Sequence, residues 1–286
     1  MKRLINGIFR RLAYGISIPI ILSELFDPLT GREYRIGFLT KVTLALRMAR
    51  NYRRITTGSR VIEHLVMATH IMRIPKAVEG CVVECGSYKG GSATNLSLVC
   101  ELCDRTLEVF DSFAGLPEPS AADKQHLLVG LQQVHTYEKG SWSGGLEEVK
   151  ENIRQYGAIA RCNFHKGYFD ETVPTFKEPV VFAFLDVDLT DSLQTCLRYL
   201  WPLLQDGCSL FTHEAQHMEI ASLFFSGEWW CGNLRCLPPG LVGAGTGLGL
   251  LPAAGGFRSD SAYTIKNPRA EEFVINPQTG LGLEEN

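Results

Sequence analysis

The strongest constraint on the fold of this 286-residue chain is a regular alternation between residues 81 and 212. Short apolar runs of strand length, Cys81–Glu84, Leu107–Phe110, Cys162–His165, Val180–Leu185 and Cys208–Thr212, are separated by longer polar-apolar segments. Three of those segments, Gly91–Cys103, Gly145–Tyr156 and Asp191–Leu204, have helical patterning, and Gln205-Asp206-Gly207 reads as the stop of the last one. Strands alternating with helices predict an α/β protein, a doubly wound and mostly parallel sheet with helices on both faces. Ala262–Ile265 and Glu272–Ile275, flanking Asn267-Pro268, suggest a closing antiparallel pair. The Gly/Pro-rich stretch 238–256 reads as a long loop, without the GxGxxG spacing of a dinucleotide site.

Ahead of the alternation, residues 38–74 are helical in pattern and end at Pro75. The expected organisation is a helical extension or lid over 1–75 and one sheet domain over 76–286. Charge follows the same division. Residues 1–60 hold twelve Lys and Arg against three Asp and Glu, and the rest is acidic, for a net charge of −3. The body therefore excludes a nucleic-acid partner, while the basic start suits an anionic surface or substrate, including peripheral contact with a membrane. Lys2 and Arg3 imitate the start of a signal peptide, but Arg10, Arg11 and Pro19 interrupt the apolar run. No apolar run reaches the roughly 18 residues of a spanning helix. Nine cysteines, an odd number, fit buried free thiols of a reduced cytoplasm better than disulfides. Cys100 and Cys103 form a CxxC with no second CxxC, in a stretch that reads as helix. The composition admits a homo-oligomer.

Two segments carry the chemistry. Val82-Val83-Glu84-Cys85-Gly86-Ser87-Tyr88-Lys89-Gly90-Gly91-Ser92 runs from a strand through glycines into a helix. In a doubly wound sheet this is the first strand-to-helix turn, where the backbone approaches a ligand and the helix start offers free N–H groups. Its GxxxGG spacing, with an acid two residues before the first glycine, suits a cofactor bearing a charged amino-acid moiety and no phosphate. The second segment, Phe110-Asp111-Ser112-Phe113, puts an acid at the end of the second strand, placed to accept both hydroxyls of a ribose. Together they describe an S-adenosylmethionine site, with Glu84 and Asp111 at its amino-acid and ribose ends and Ser87, Tyr88 and Phe113 in the same two turns as further candidates. Trp142 and Ser143 are candidates for adenine. Asp186 and Asp188, at the end of the fourth strand, can hold a hard cation and accept the proton of an alcohol, a poor nucleophile until it is deprotonated or polarised.

VVECGSYKGGSA, FDSFAGLPEP, HKGYFDETVP and FLDVDLTDSLQTCLRYLWPLLQDG, in this order and spacing, resemble the macrocin O-methyltransferase family over roughly residues 60–215. That resemblance implies a class I methyltransferase (Rossmann-like) sheet, S-adenosylmethionine as donor, a divalent cation such as Mg²⁺ or Mn²⁺, and N-terminal helices covering the site. It implies a small-molecule hydroxyl acceptor, a sugar or glycosylated natural product, and places Glu84, Gly86, Ser92, Asp111 and Ser112 on cofactor positions and Asp186 on a metal-ligand position. Asp188 and Asp186 are the candidate bases. After the fifth strand the family usually carries two adjacent aspartates, where this chain has His213-Glu214. A metal held by Asp186, His213 and Glu214 would then favour Mn²⁺, Fe²⁺ or Zn²⁺ over Mg²⁺, and its binding would weaken below about pH 6. The alternative is a binding module that keeps the cofactor site and has lost catalysis, used for regulation or scaffolding. His213-Glu214-Ala215-Gln216-His217 is formally HExxH, but it follows a buried strand, where a zinc protease needs a regular helix. His126, His135, Tyr137 and Trp142 fall in the long connection after the second strand, which in such folds can close over the site.

Overall fold

The computed structural model describes residues 19, 21–128, 133–243 and 261–267. Its strands are β1 (Cys81–Cys85), β2 (Leu107–Asp111), β3 (Gln125–Leu128), β4 (Gln133–Thr136), β5 (Cys162–Lys166), β6 (Val180–Leu185), β7 (Leu204–Thr212) and β8 (Ala262–Ile265). Six of them form one sheet in the order β5-β2-β1-β6-β7-β8, and β3 and β4 pair separately as an antiparallel ribbon. Every pairing in the large sheet is parallel except β7 with β8. Central β1 and β6 are buried along their whole length, as expected where helices cover both faces. The core gathers Phe182, Phe184 and Phe211 from β6 and β7, with Tyr263 of β8 stacked on Phe211 at 5.0 Å.

Several boundaries differ from the sequence reading. The helix after β6 is Thr190–Leu200, shortened because Pro202 has no N–H to continue it. Gln205-Asp206-Gly207 consequently belongs to the start of β7. Ala262–Ile265 pairs with β7, and residues 272–275 lie outside the described residues, as do 244–256 of the Gly-rich stretch and residues 1–18. All nine cysteines are free and seven are buried.

The segment expected as one helical region is two helices, Phe38–Tyr52 and Val61–Arg73, broken around Gly58. They pack on helix Gly91–Leu102, the one that follows β1, and Leu44, Met48, Met67 and Ile71 join the same core as the sheet. Burying side chains of this size stabilises by roughly 1.5–3 kcal/mol each. A buried polar chain fixes the register. Asn51 Nδ2 donates to Asn95 Oδ1 at 2.9 Å, Asn95 Nδ2 lies 2.8 Å from His64 Nδ1, and His64 Nε2 lies 2.8 Å from Ser59 Oγ. Burial holds His64 neutral, lowering its pKa to about 4. The extension is thereby locked to the first helix of the sheet domain, with Gly58 reaching the cavity described next.

Candidate active site

The strand order reverses between β1 and β6, and a cavity of about 220 Å³ opens at the carboxyl ends of the strands there. Gly86 and Asp186 leave β1 and β6 side by side. The Asp186 N–H donates to the Cys85 carbonyl at 2.8 Å, and a Cβ on Gly86, whose φ is +86°, would fall on the Asp186 carbonyl oxygen. Only glycine permits this approach. Tyr88, Phe113, Trp142, Asp188 and Glu214 all have positive φ between 39° and 60°, a conformation that costs free energy and concentrates at functional sites.

On the β1–β2 side the turn after β1 is tied to the end of β2. Asp111 Oδ2 accepts from the Ser87 N–H at 2.6 Å and from Ser87 Oγ at 2.9 Å, and its Oδ1 accepts from the Phe113 N–H at 2.7 Å. Burial raises the Asp111 pKa, and these hydrogen bonds work against the rise. The carboxylate expected to meet ribose hydroxyls thus also shapes its own loop, with lone pairs remaining for a ligand. Ser112 closes the next turn, its Oγ donating to the Gly115 carbonyl at 2.8 Å. Glu84 lies beneath, fully buried, and neither of its carboxylate oxygens has a hydrogen-bond partner. Burial pushes its pKa up to about 8, with the Ser92 hydroxyl pulling the other way without completing a bond. An unpaired buried carboxyl is costly unless a cation or donor arrives to meet it. Tyr88 and Trp142 stand edge to face at 5.7 Å on the cavity wall, Trp142 being 48% exposed. Ser143 is exposed and does not line the cavity.

On the β6–β7 side Asp186, His213 and Glu214 bring three ligand atoms within 4.8 Å of one another. His213 Nδ1 lies 3.1 Å from Asp186 Oδ1 and 2.5 Å from Glu214 Oε1, and its Nε2 is buried without a hydrogen-bond partner. Burial favours neutral His213, but the Asp186 and Glu214 carboxylates outweigh it and raise the pKa well above the usual 6.5. Glu214 is itself raised by burial, and Asp188 reaches about 7 through burial and the Asp186 charge. This corner therefore packs three carboxyl groups around one imidazole, with protons retained on the raised groups, and the donor set suits a borderline divalent cation that would displace them. His213 directly follows the last residue of β7 and His217 precedes the short helix Met218–Leu223, so the HExxH residues do not share a helix face.

A second polar group centres on Asp123, which the sequence reading did not single out. Asp123 receives the Thr190 N–H at 2.9 Å and the Asp191 N–H at 3.0 Å, capping the helix that follows Asp188. The same carboxylate accepts from His126 Nε2 at 2.8 Å. His126 Nδ1 stands 3.3 Å from His217 Nδ1, and the Tyr137 hydroxyl hydrogen-bonds that same nitrogen at 3.1 Å. Burial, then His126 and His135, lower His217 to about 3. The β3–β4 ribbon that carries His126 and His135 thereby roofs the acidic corner. Placing histidines and Tyr137 in this connection was possible from sequence, but no local pattern marks Asp123, whose partners are 67 and 68 residues away. Lys166 is exposed, His165 pairs with Glu108 at 2.8 Å away from the cavity, and Trp230 is a core residue.

A mostly parallel sheet with this strand order, a glycine turn after β1 and an acid ending β2 defines a class I S-adenosylmethionine-dependent methyltransferase fold. The solved structure of the O-methyltransferase NovP superposes with a TM-score of 0.54 at 20% identity, covering 74% of this chain and 83% of its own. The calicheamicin methyltransferase CalS11 aligns over 80% of each chain at 18% identity, with a TM-score of 0.48. No curated protein matches the sequence significantly. Residues 51–220 match the family model of macrocin-O-methyltransferase, TylF. The chain belongs to the macrocin-O-methyltransferase family and is an S-adenosylmethionine-dependent O-methyltransferase.

Proposed function

We propose that this enzyme methylates a hydroxyl of a sugar or glycosylated natural product, with a divalent cation held by Asp186, His213 and Glu214. The observation that carries the reading is the convergence of those three ligand atoms beside Asp188, on the wall of the cavity that also exposes Asp111 and Gly86. When bound, S-adenosylmethionine supplies an electrophilic methyl group, and the cation lowers the pKa of the acceptor oxygen. Glu84 receives the donor's ammonium, which supplies the partner its buried carboxylate lacks. Asp111 holds the ribose while keeping the Ser87 turn in place, and the Tyr88–Trp142 pair offers an apolar wall to adenine. Asp188 takes the acceptor's proton. In the metal-free protein burial and the Asp186 charge raise its pKa to about 7, which makes it a stronger base than an exposed aspartate. Membership of the macrocin-O-methyltransferase family supports the sugar acceptor, and the aromatic and histidine lining of the cavity is chemically suited to it.

Incubating the protein with S-adenosylmethionine and a panel of nucleotide sugars and macrolide glycosides tests the reading by mass spectrometry. A singly methylated product should form, stop on chelation and return with Mn²⁺. Tight binding of S-adenosylhomocysteine with no methylation of any hydroxyl acceptor would favour the non-catalytic binding module.

A further inference from the structure

We infer that Glu63, carried by the N-terminal helix Val61–Arg73, is a positioning residue that orients His213 for cation binding. The inference rests on the cation reading above and makes the helical extension part of the catalytic centre.

His213 uses Nδ1 toward Asp186 and Glu214, which leaves Nε2 as the outward ring nitrogen, and that atom is buried with no hydrogen-bond partner. The acid facing it is Glu63, whose Oε2 lies 4.0 Å away. Glu63 is fully buried, so its carboxylate is withdrawn from water on the side of the helix that meets the site. A histidine bound to a metal commonly presents its second nitrogen to a carboxylate, which fixes the ring's orientation and tautomer and strengthens it as a ligand. The arrangement of Glu63, imidazole and two ligand carboxylates has that order.

Glu63 is also held from behind. Its Oε2 accepts the Arg60 backbone N–H at 2.6 Å in the first turn of the helix. The neighbouring His64 is clamped between Ser59 and Asn95, so the helix start cannot drift from the sheet domain. The edge of the His213 ring meets Phe184 at 6.3 Å and 86°, limiting rotation from the other side. A capping role alone would need only an acceptor at position 63, and glutamine supplies one. Orienting a ligand imidazole uses the charge as well.

The test is Mn²⁺ calorimetry on the full chain loaded with S-adenosylhomocysteine, in wild type, Glu63→Gln, His213→Asp and the double variant. Glu63→Gln should weaken Mn²⁺ by about 10-fold or more, with thermal midpoint and S-adenosylhomocysteine affinity held. In the His213→Asp background the same change should alter Mn²⁺ affinity less than about twofold, because no imidazole remains to orient. Equal losses in both backgrounds, or none in wild type, would overturn the inference while leaving the cation reading standing. Absence of Mn²⁺ binding in wild type and His213→Asp alike would remove both. Should Glu63→Gln not fold, ¹⁵N NMR of Zn²⁺-loaded wild type decides. His213 must then show a proton on Nε2 and the metal on Nδ1, and the reverse assignment contradicts the inference.

Discussion

On the β1–β2 side of the cavity, Asp111 already directs both oxygens to the chain's own Ser87 and Phe113, so the loops there hold their shape without a ligand. On the β6–β7 side, Asp186, Asp188 and Glu214 crowd one imidazole, and burial raises two of the three carboxyls. The first corner is preorganised by hydrogen bonds, whereas the second crowds carboxyl groups that hold protons a cation would displace. A catalyst that binds its donor in a finished pocket, and completes the acceptor corner only with metal, can separate donor affinity from turnover.

The largest expected effect breaks the acceptor corner alone. Asp186→Asn should abolish Mn²⁺ binding and lower kcat by about 10³-fold or more, with S-adenosylhomocysteine affinity within about threefold of wild type by calorimetry. A parallel loss of donor affinity would show that the two corners are one unit. Next in size, Asp111→Ala should weaken S-adenosylhomocysteine by about 1–3 kcal/mol, from lost charged hydrogen bonds and a released Ser87 turn. Intact Mn²⁺ binding in that variant would sharpen the contrast.

Asp123→Ala should remove the cap from helix Thr190–Leu200 and destabilise the protein by about 1–2 kcal/mol in urea unfolding. Because that helix follows Asp188, turnover should fall more than donor binding. A variant with unchanged stability would mean that the cap is satisfied by water.

The smallest effect is a proton count. Glu84 has a pKa of about 8 in the free protein, and pairing with an ammonium returns it toward or below the usual 4.5. Donor binding should therefore release up to one proton between pH 4.5 and 8, visible as a buffer-dependent binding enthalpy that Glu84→Gln removes. The folded, ligand-free state holds a proton that the unfolded chain gives up over the same window. Its stability should thus decline as pH rises through it, and donor binding should offset the decline. A buffer-independent enthalpy would mean that Glu84 does not meet the ammonium.

What the sequence discloses follows from how far apart the partners lie. The five parallel strands and the turn Glu84–Ser92 are legible because apolar strand runs and glycine spacing are local signals. Asp186 and Glu214 are legible because they directly follow strand ends. Gln205-Asp206-Gly207 misleads because a glycine can end a helix or turn within a strand, and Pro202, three residues earlier, does the stopping. Asp123 and Glu63 carry no local mark. One caps a helix across the fold and the other faces His213 from the extension, and only the packed chain brings those pairs together. From the sequence, metal binding is expected to weaken below about pH 6. The raised His213 pKa changes that expectation, because a cation must displace its proton well above that pH.

The most direct measurement is titration of Mn²⁺ and of Mg²⁺ into wild-type protein saturated with S-adenosylhomocysteine, at several pH values. Mn²⁺ should bind about tenfold or more tightly than Mg²⁺, through the imidazole ligand, and its affinity should climb with pH across neutrality as the His213 proton is displaced more easily. If neither ion binds at any pH while S-adenosylhomocysteine binds tightly, the acceptor corner is closed by His213 itself and the cation-assisted account is wrong.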